Sequence, residues 1–484
     1  MPSRYRQVIS AALALLASSV ALYFGTGLRP VWWLMWLAPI PVLLAAPRLT
    51  RGLAFATAFL AWVVGGFNMW NYYHLLIEIP VAPSLLIILG PALVFAVAVL
   101  TYRNVLRVSV WRAALIFPTI WVAYEFVSER MSPHSTFGNI SYSQMNFLPV
   151  LQIASITGIW GISYCLFLFA AVVGALLSGH GTARESRMLG RAVGIALMAV
   201  LGFGIWRTHV TPQGGENVTV ALVASDLKPN IFPHERDDSL RLLREYASQA
   251  QLLAAQGARV IVIPEKVGIV IDSDLSEVDS LFRSTAAKIG ASIVIGIVHP
   301  TASAKWNEAR FYSPSGEIRT YEKHHMIPSF ESDLTVGENR TVWREPSGLW
   351  GIAICKDMDF PQLSREYGSD GSGLLLVPAW DFAVDGWLHG RMAILRGVES
   401  GFSIARAAKQ GVLTVTDNTG HVLSQQETNS APFASLVATV PVRHQATIYA
   451  RFGDWFGLLN ILTLVVLVAW SLIGRRRNTS DASS

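Results

Sequence analysis

Apolar positions along this chain fall into two regimes. Up to residue 207, and again after 453, they form long and nearly unbroken runs. The runs near 8–24, 30–46, 53–72, 83–101, 113–127, 150–172, 192–206 and 455–473 predict eight transmembrane helices. Most are close to the roughly 20 residues that a bilayer crossing needs. The second and fifth are short, and the fifth carries Pro118 and Glu125. Between 208 and 453 the pattern changes to short strand-length runs separated by helical stripes. Residues 217–225 (NVTVALVAS) form a β-branched run that predicts a buried strand. Leu240, Leu243, Tyr246, Ala247, Ala250 and Leu253 recur at helical spacing, Gly257 ends that helix, and 259–264 (RVIVIP) is the next strand. Strand, helix and strand in about fifty residues is a βαβ unit.

The alternation continues. A helix near 275–289 leads to a strand at 292–298, and a hairpin joins 306–312 to 317–321 around Ser313-Pro314-Ser315-Gly316. Strands follow at 349–355 (LWGIAIC) and 374–378 (LLLVP), then a helix at 386–400 and strands at 412–416, 422–425 and 436–440. The pattern predicts a polytopic α-helical membrane domain of seven helices (1–207), a mixed-sheet α/β domain (208–453), and a last helix with a basic tail (454–484). In such sheets ligands gather at the carboxyl ends of strands.

Charge sharpens this division. Of 484 residues, 52% are hydrophobic and only 15% charged, against about 25% for an ordinary soluble domain. The net charge of +5 invites a nucleic-acid reading, but its distribution removes it. Residues 208–453 hold 22 basic and 27 acidic side chains, whereas the remainder holds 16 basic and 6 acidic. The basic excess lies between the apolar runs. Arg4 and Arg6, Arg48 and Arg51, Arg103, Arg107 and Arg112, Arg184, Arg187 and Arg191, and Arg475 to Arg477 all fall in alternate loops, while the opposite loops hold only Arg29 and Arg130. The positive-inside rule then puts both termini in the cytoplasm and 208–453 on the opposite, extracytoplasmic side of the membrane. The first run reads as a retained helix, because no small-residue cleavage site follows Tyr23. Trp32, Trp33 and Trp36, with Trp70, Tyr72 and Tyr73, read as interfacial anchors. Glu125 has two readings: an intramembrane functional carboxylate, or a partner for Arg130.

The chemistry lies in the α/β region. The two cysteines, Cys165 in an apolar run and Cys355 at the end of a strand, form no disulfide framework and no zinc spacing. Glu265 ends RVIVIP, and Lys323 follows the hairpin. A thiol attacks as its thiolate, a partly buried carboxylate can take its proton, and an ammonium can hold a developing oxyanion. Glu265, Lys323 and Cys355 therefore suffice for covalent acyl transfer with no metal or cofactor. Glu331 is a candidate second carboxylate. No HExxH, CxxC, GxxxxGK[ST], GxSxG or helix-opening GxGxxG occurs.

At these residues the chain resembles the apolipoprotein N-acyltransferases, membrane-embedded members of the nitrilase (carbon–nitrogen hydrolase) superfamily. The resemblance runs from about 25 to 473 and rests on 29–44 (RPVWWLMWLAPIPVLL), 137–164 (FGNISYSQMNFLPVLQIASITGIWGISY), the PE of 261–265, 323–331 (KHHMIPSFE) and 449–455 (YARFGDW). It implies an αββα nitrilase-like sandwich, with Glu265 as general base, Lys323 as oxyanion stabiliser, Cys355 as nucleophile and Glu331 as supporting acid. It also implies a phospholipid acyl donor and a diacylated lipoprotein acceptor. The alternative is a membrane-tethered amidase, in which water resolves the thioester. The chain departs from the family pattern at two places. Lys356 and Asp357 stand where a Tyr–Glu pair is expected, and Ala224, Ser225 and Asp226 where Gln-Gly-Asn is expected. Two roles are open to Lys356: lowering the thiol pKa, or meeting an acidic headgroup. Val267 to Val270, and the loop with Trp380, Phe382 and Trp387, have two readings: apolar lids over the site, or packing on the domain core.

Overall fold

The computed structural model describes residues 4–209 and 216–480, with the backbone alone over 470–480. The chain divides into two compact units. The first comprises 1–132, 138–206 and 454–484; the second comprises 133–137 and 207–453.

In the first unit six helices among the described residues are long and apolar enough to cross a membrane: Arg4–Gly25, Arg51–Leu76, Val81–Leu106, Val110–Met131, Ile159–Leu177 and Ala183–His209. One of the eight expected crossings differs. The run at 30–46 is two short helices, Trp32–Leu37 and Ile40–Ala45, parted at Ala38 and Pro39. Proline has no N–H to continue the ladder, and Pro39 and Pro41 fall in consecutive turns. The run at 455–473 lies within one helix, Trp455–Ser480, whose side chains are described as far as Ala469. The expected run at 150–172 begins as two single turns and becomes a continuous helix only after Gly158, whose φ of +68° ends the preceding turn. The basic Arg475 to Arg477 lie on backbone whose side chains are outside the described residues.

Glu125 and Arg130 do not pair. The Glu125 carboxylate accepts the Ile140 N–H at 3.0 Å. Arg130 instead reaches Asp454 at 2.5 Å, and the Trp160 indole N–H donates to the same carboxylate at 3.1 Å. Trp455 completes the tie by donating to the Ile156 carbonyl at 2.8 Å. The DW of YARFGDW thus fastens the last helix to the earlier ones.

The second unit contains two six-stranded sheets. Its strands are β1 (Asn217–Ala224), β2 (Val260–Val262), β3 (Ser292–Pro300), β4 (Lys305–Tyr312), β5 (Ile318–Glu322), β6 (Thr341–Glu345), β7 (Gly348–Ile352), β8 (Leu374–Trp380), β9 (Ser403–Lys409), β10 (Val412–Thr416), β11 (Val422–Glu427) and β12 (Ala434–Pro441). One sheet runs β12-β1-β2-β3-β4-β5 and the other β11-β10-β9-β8-β7-β6. The inner strands β1, β2 and β3 are parallel, as are β7, β8 and β9. Val220, Leu222, Val262 and Val294 face Ile352, Leu376, Ala407 and Leu413 between the sheets. The alternate residues Ala221, Val223, Ile261 and Ile293 pack outward on helices Arg236–Ala255 and Asp272–Ile289. Leu375, Val377 and Ile404 do the same beneath Pro361–Ser369 and Gly386–Ser400. Both faces of each inner strand are covered, so these strands read as continuous apolar runs. The unit is therefore an αββα sandwich.

Val267 to Val270 is not a lid. The Val267 and Val270 N–H groups donate to Gly296 and Val298 at 2.9 Å, and both valines are buried. The segment prolongs the β2 pairing with β3, and leaving that edge would orphan its backbone donors.

Close approach of these two strands requires a glycine at 296. A Cβ there would stand 2.5 Å from the Glu265 Cα and 2.7 Å from the Pro264 carbonyl oxygen. Gly296→Ala is expected to cost about 1–3 kcal/mol of stability, in the range for overpacked cores, and to displace Glu265. Thermal unfolding of the full-length variant beside the parent checks this.

Candidate active site

Three strand ends and one loop bring the candidate residues together. Glu265 follows β2, and its N–H donates to Ala379 at 3.4 Å. Lys323 follows β5, where its N–H extends the ladder to the Asn307 carbonyl at 2.9 Å. Glu331 closes a turn in the next loop, with its N–H on the Ile327 carbonyl and the Ile327 N–H on its own carboxylate at 2.8 Å. Cys355 opens a single 3-10 turn, Cys355–Asp359, just beyond β7.

The side chains of Glu265, Lys323 and Glu331 are all buried. The Lys323 ammonium donates to Glu265 Oε1 at 2.8 Å and to Glu331 Oε2 and Oε1 at 2.8 and 3.1 Å. Asn307 Nδ2 bridges the same two carboxylates at 2.6 and 3.1 Å. Lys266 Nζ lies 2.5 Å from Glu331 Oε1 and 3.9 Å from Glu265. Burial works against a charged Lys323, but Glu265 and Glu331 outweigh it and hold its pKa well above the ordinary value. Burial likewise opposes the Glu331 charge, yet Lys323 and Lys266 bring that carboxyl down to about 2.

Cys355 has a φ of +44°. A non-glycine residue in that region stores on the order of 1–3 kcal/mol of strain. Its Sγ donates to the Trp380 carbonyl at 3.4 Å. Burial, then the Glu265 charge, raise the thiol pKa well above its usual value, with Lys323 opposing them. The resting sulfur is therefore a protonated thiol, and it depends on a neighbouring base to become a nucleophile. Behind it Arg406 grips Asp381 through two bonds of 2.9 and 2.5 Å.

Asp357 is fully buried and binds the turn rather than a ligand. It accepts the Ile354 N–H at 3.0 Å, the Tyr321 hydroxyl at 2.7 Å and the His325 N–H and Nδ1 at 2.9 Å each. One carboxylate thus ties the Cys355 turn to the loop after Lys323. Lys356 points to other partners. Its ammonium meets His134 Nδ1 at 3.0 Å and Asp359 at 3.5 Å. His134 belongs to the 133–137 segment, whose Thr136 hydroxyl also holds the Asp359 carbonyl at 2.8 Å. Burial, then Lys356, lower the His134 pKa to about 4, so it accepts from the ammonium as a neutral ring. Trp380 lies over Lys409 at 4.0 Å and donates its indole N–H to Gln410 at 2.8 Å. Trp387 stacks under the Arg391 guanidinium at 5.2 Å. Asp226, at the second departure, ties the end of β1 to Gln410 N and the Thr428 hydroxyl at 2.6 Å each.

The structure therefore gathers Glu265, Lys323 and Glu331 in one hydrogen-bonded cluster, with Cys355 on the Trp380 carbonyl within electrostatic reach of Glu265 and Lys323. It assigns Lys356, Asp357 and Trp387 to contacts around them. Sequence reasoning missed Lys266, Asn307, Lys409 and the Asp381–Arg406 pair. Lys266 adjoins Glu265, but adjacency along a chain does not reveal that its ammonium turns back on Glu331. Its φ of +51° makes that turn.

Comparison with known proteins bears on the same residues. A family model described as the apolipoprotein N-acyltransferase N-terminal domain matches residues 10–172. One described as carbon–nitrogen hydrolase matches 219–431. The apolipoprotein N-acyltransferase of Geobacter metallireducens is 25% identical over 485 residues, 90% of each chain. That of Gloeobacter violaceus is 24% identical over 531 residues, covering 97% of this chain and 96% of its own. Along nearly its whole length this chain is therefore similar to the apolipoprotein N-acyltransferases. It is an acyltransferase built on a carbon–nitrogen hydrolase domain and a helical membrane domain. Among solved structures, an amidase from Nesterenkonia sp. aligns with a TM-score of 0.40 and 20% identity, over 51% of this chain and 96% of its own.

The depressed Glu331 carboxyl makes stability depend on pH. A folded pKa of about 2, below the ordinary 4.5, adds stability that is complete above 4.5 and is lost as pH falls toward 2. Glu331→Gln is therefore expected to unfold more readily than the parent at pH 7, with the two converging as the pH falls from 4.5 toward 2. Thermal unfolding of both proteins across that range checks this.

Proposed function

We propose that this protein transfers a fatty acyl chain from a phospholipid to the N-terminal amine of a diacylglyceryl-cysteine lipoprotein, through a thioester on Cys355. The observation that carries this reading is a protonated thiol beside a buried carboxylate–ammonium cluster, in a chain similar to apolipoprotein N-acyltransferases along most of its length.

In the first step Glu265 takes the proton from Sγ, and Sγ forms a bond to the ester carbonyl carbon of the phospholipid. Lys323 faces the carbonyl oxygen as negative charge develops there. The C–O bond then breaks. The departing lysophospholipid oxygen takes the proton held by Glu265. In the second step the lipoprotein amine, in its neutral form, attacks the thioester carbonyl. Glu265 accepts the surplus proton, the C–S bond breaks, and the thiolate is reprotonated. Water must be kept from the thioester between these steps. Phe330, beside Glu331, and Val384, beyond Trp380, are exposed apolar tips, and Phe330 meets Phe382 with ring centroids 5.3 Å apart. Such a rim suits an acyl chain better than a small polar amide.

The arginine distribution supports an enzyme of the bacterial cytoplasmic membrane, with both termini in the cytoplasm and 208–453 outside. There both substrates are lipid-anchored and reach the site by lateral diffusion, which raises their effective concentration. No nucleic acid enters this scheme.

Cys355→Ala is expected to lower N-acylation by on the order of a thousandfold or more. Mass spectrometry of lipoprotein N-termini, with parent or variant supplied, reads this. Triacylated termini that persist with Cys355→Ala would refute the proposal. A labelled phospholipid chain should be trapped on Cys355 of the parent. Release of free fatty acid with no acylated terminus would favour the hydrolase instead.

A further inference from the structure

The charge count around Lys323 depends on a residue outside the Glu–Lys–Cys set. Two buried carboxylates share one ammonium there. With that ammonium alone the cluster would carry a net negative charge in a region shut off from water. Like-charged carboxylates in such a place do not both stay ionised; one takes a proton. The compensating charge comes from Lys266, 2.5 Å from Glu331 and 3.9 Å from Glu265.

Several contacts hold Lys266 in this position. Lys409 Nζ donates to the Lys266 carbonyl at 2.7 Å, fixing the left-handed backbone from one side. The Trp380 ring lies 5.2 Å beneath the Lys266 ammonium and 4.0 Å from Lys409 Nζ. Lys266 therefore sits between a carboxylate and an aromatic face, with only 12% of its side chain exposed.

We propose that Lys266 is a positioning residue that keeps both Glu265 and Glu331 ionised, so that Glu265 stands ready as a proton acceptor for Cys355 at neutral pH. This rests on the acyl-transfer reading for the role of Glu265. The charged groups facing the cluster are Lys323 from the end of β5, Asp333 from the Glu331 loop, Lys409 from the end of β9, and Asp381 with Arg406 behind Cys355. Arg406 and Asp381 neutralise each other, and burial, then Lys266, push the Lys409 amine well below its usual pKa. The balance therefore falls to Lys266 and Lys323 against Glu265 and Glu331.

The test uses full-length protein in detergent and reads the rate of Cys355 alkylation by iodoacetamide from pH 5 to 9, by peptide mass spectrometry. Removing the Lys266 charge should raise the carboxyl pKa values, so the acid limb should move to higher pH. For Lys266→Met we expect a shift of about one unit or more, a tenfold loss of rate at a pH on the limb. Lys266→Arg should keep the parent limb. Lys266→Met combined with Glu331→Gln, which removes one charge of each sign, should return it to the parent position. A folded Lys266→Met with an unmoved limb overturns the proposal, as does an equal shift in Lys266→Arg. Should Lys266→Met not accumulate as folded protein, the double variant decides: failure to fold, or a displaced limb, overturns the proposal. Alkylation needs no acyl donor. If the parent takes no acyl chain from labelled phospholipid, the acyl-transfer reading fails while the alkylation profile still decides the role of Lys266.

Discussion

The structure of the α/β unit is governed by the need to hold two carboxylates and two ammoniums away from water beside a neutral thiol. Each such ion loses several kcal/mol of hydration, which only close and well-directed partners restore. Glu331 receives Lys323, Lys266, Asn307 and the Ile327 N–H. Glu265 receives Lys323 and Asn307. These bonds come from loops after β2 and β5 and from the middle of β4. The cluster can therefore form only when β2, β4 and β5 are in place in the first sheet, and its charges in turn hold the loops in one arrangement.

The thiol is held by the second sheet under a different constraint. Cys355 sits at positive φ on a turn that Asp357 secures from inside, while His134 and Thr136 secure it from the 133–137 segment. Lys356 and Asp357, which replace the expected Tyr–Glu pair, therefore support the turn. The Lys356 ammonium is engaged by His134 and Asp359, and the charges that act most on the thiol belong to Glu265, Lys323, Asp381 and Arg406. Neither role first considered for Lys356 matches these contacts.

The fold was legible wherever one physical signal dominated. The strands β1, β2, β3, β7 and β8 are apolar on both faces, and the helices Arg236–Ala255 and Asp272–Ile289 carry clear stripes. Strands β6 (TVWRE) and β9 (SIARAAK) escaped notice because Arg344, Arg406 and Lys409 interrupt their apolar pattern. In β9 those interruptions are the site itself, since Arg406 pairs with Asp381 and Lys409 supports Lys266. In the membrane unit, hydropathy located the apolar segments but did not register how Pro39 and Gly158 divide them.

By itself the sequence determined which segments are apolar on one face or two, where charge concentrates, and that a Glu, a Lys and a Cys stand at the ends of different strands. These follow from local pattern, because a strand end is visible in one stretch of chain. Only the tertiary structure decided that Lys266 turns back on Glu331, that Asn307 bridges two carboxylates, and that His134 reaches Lys356 across more than two hundred residues. Such pairings depend on φ, on strand order and on which loops converge, and residues distant in sequence carry no mark of one another until the sheets bring them within bonding distance.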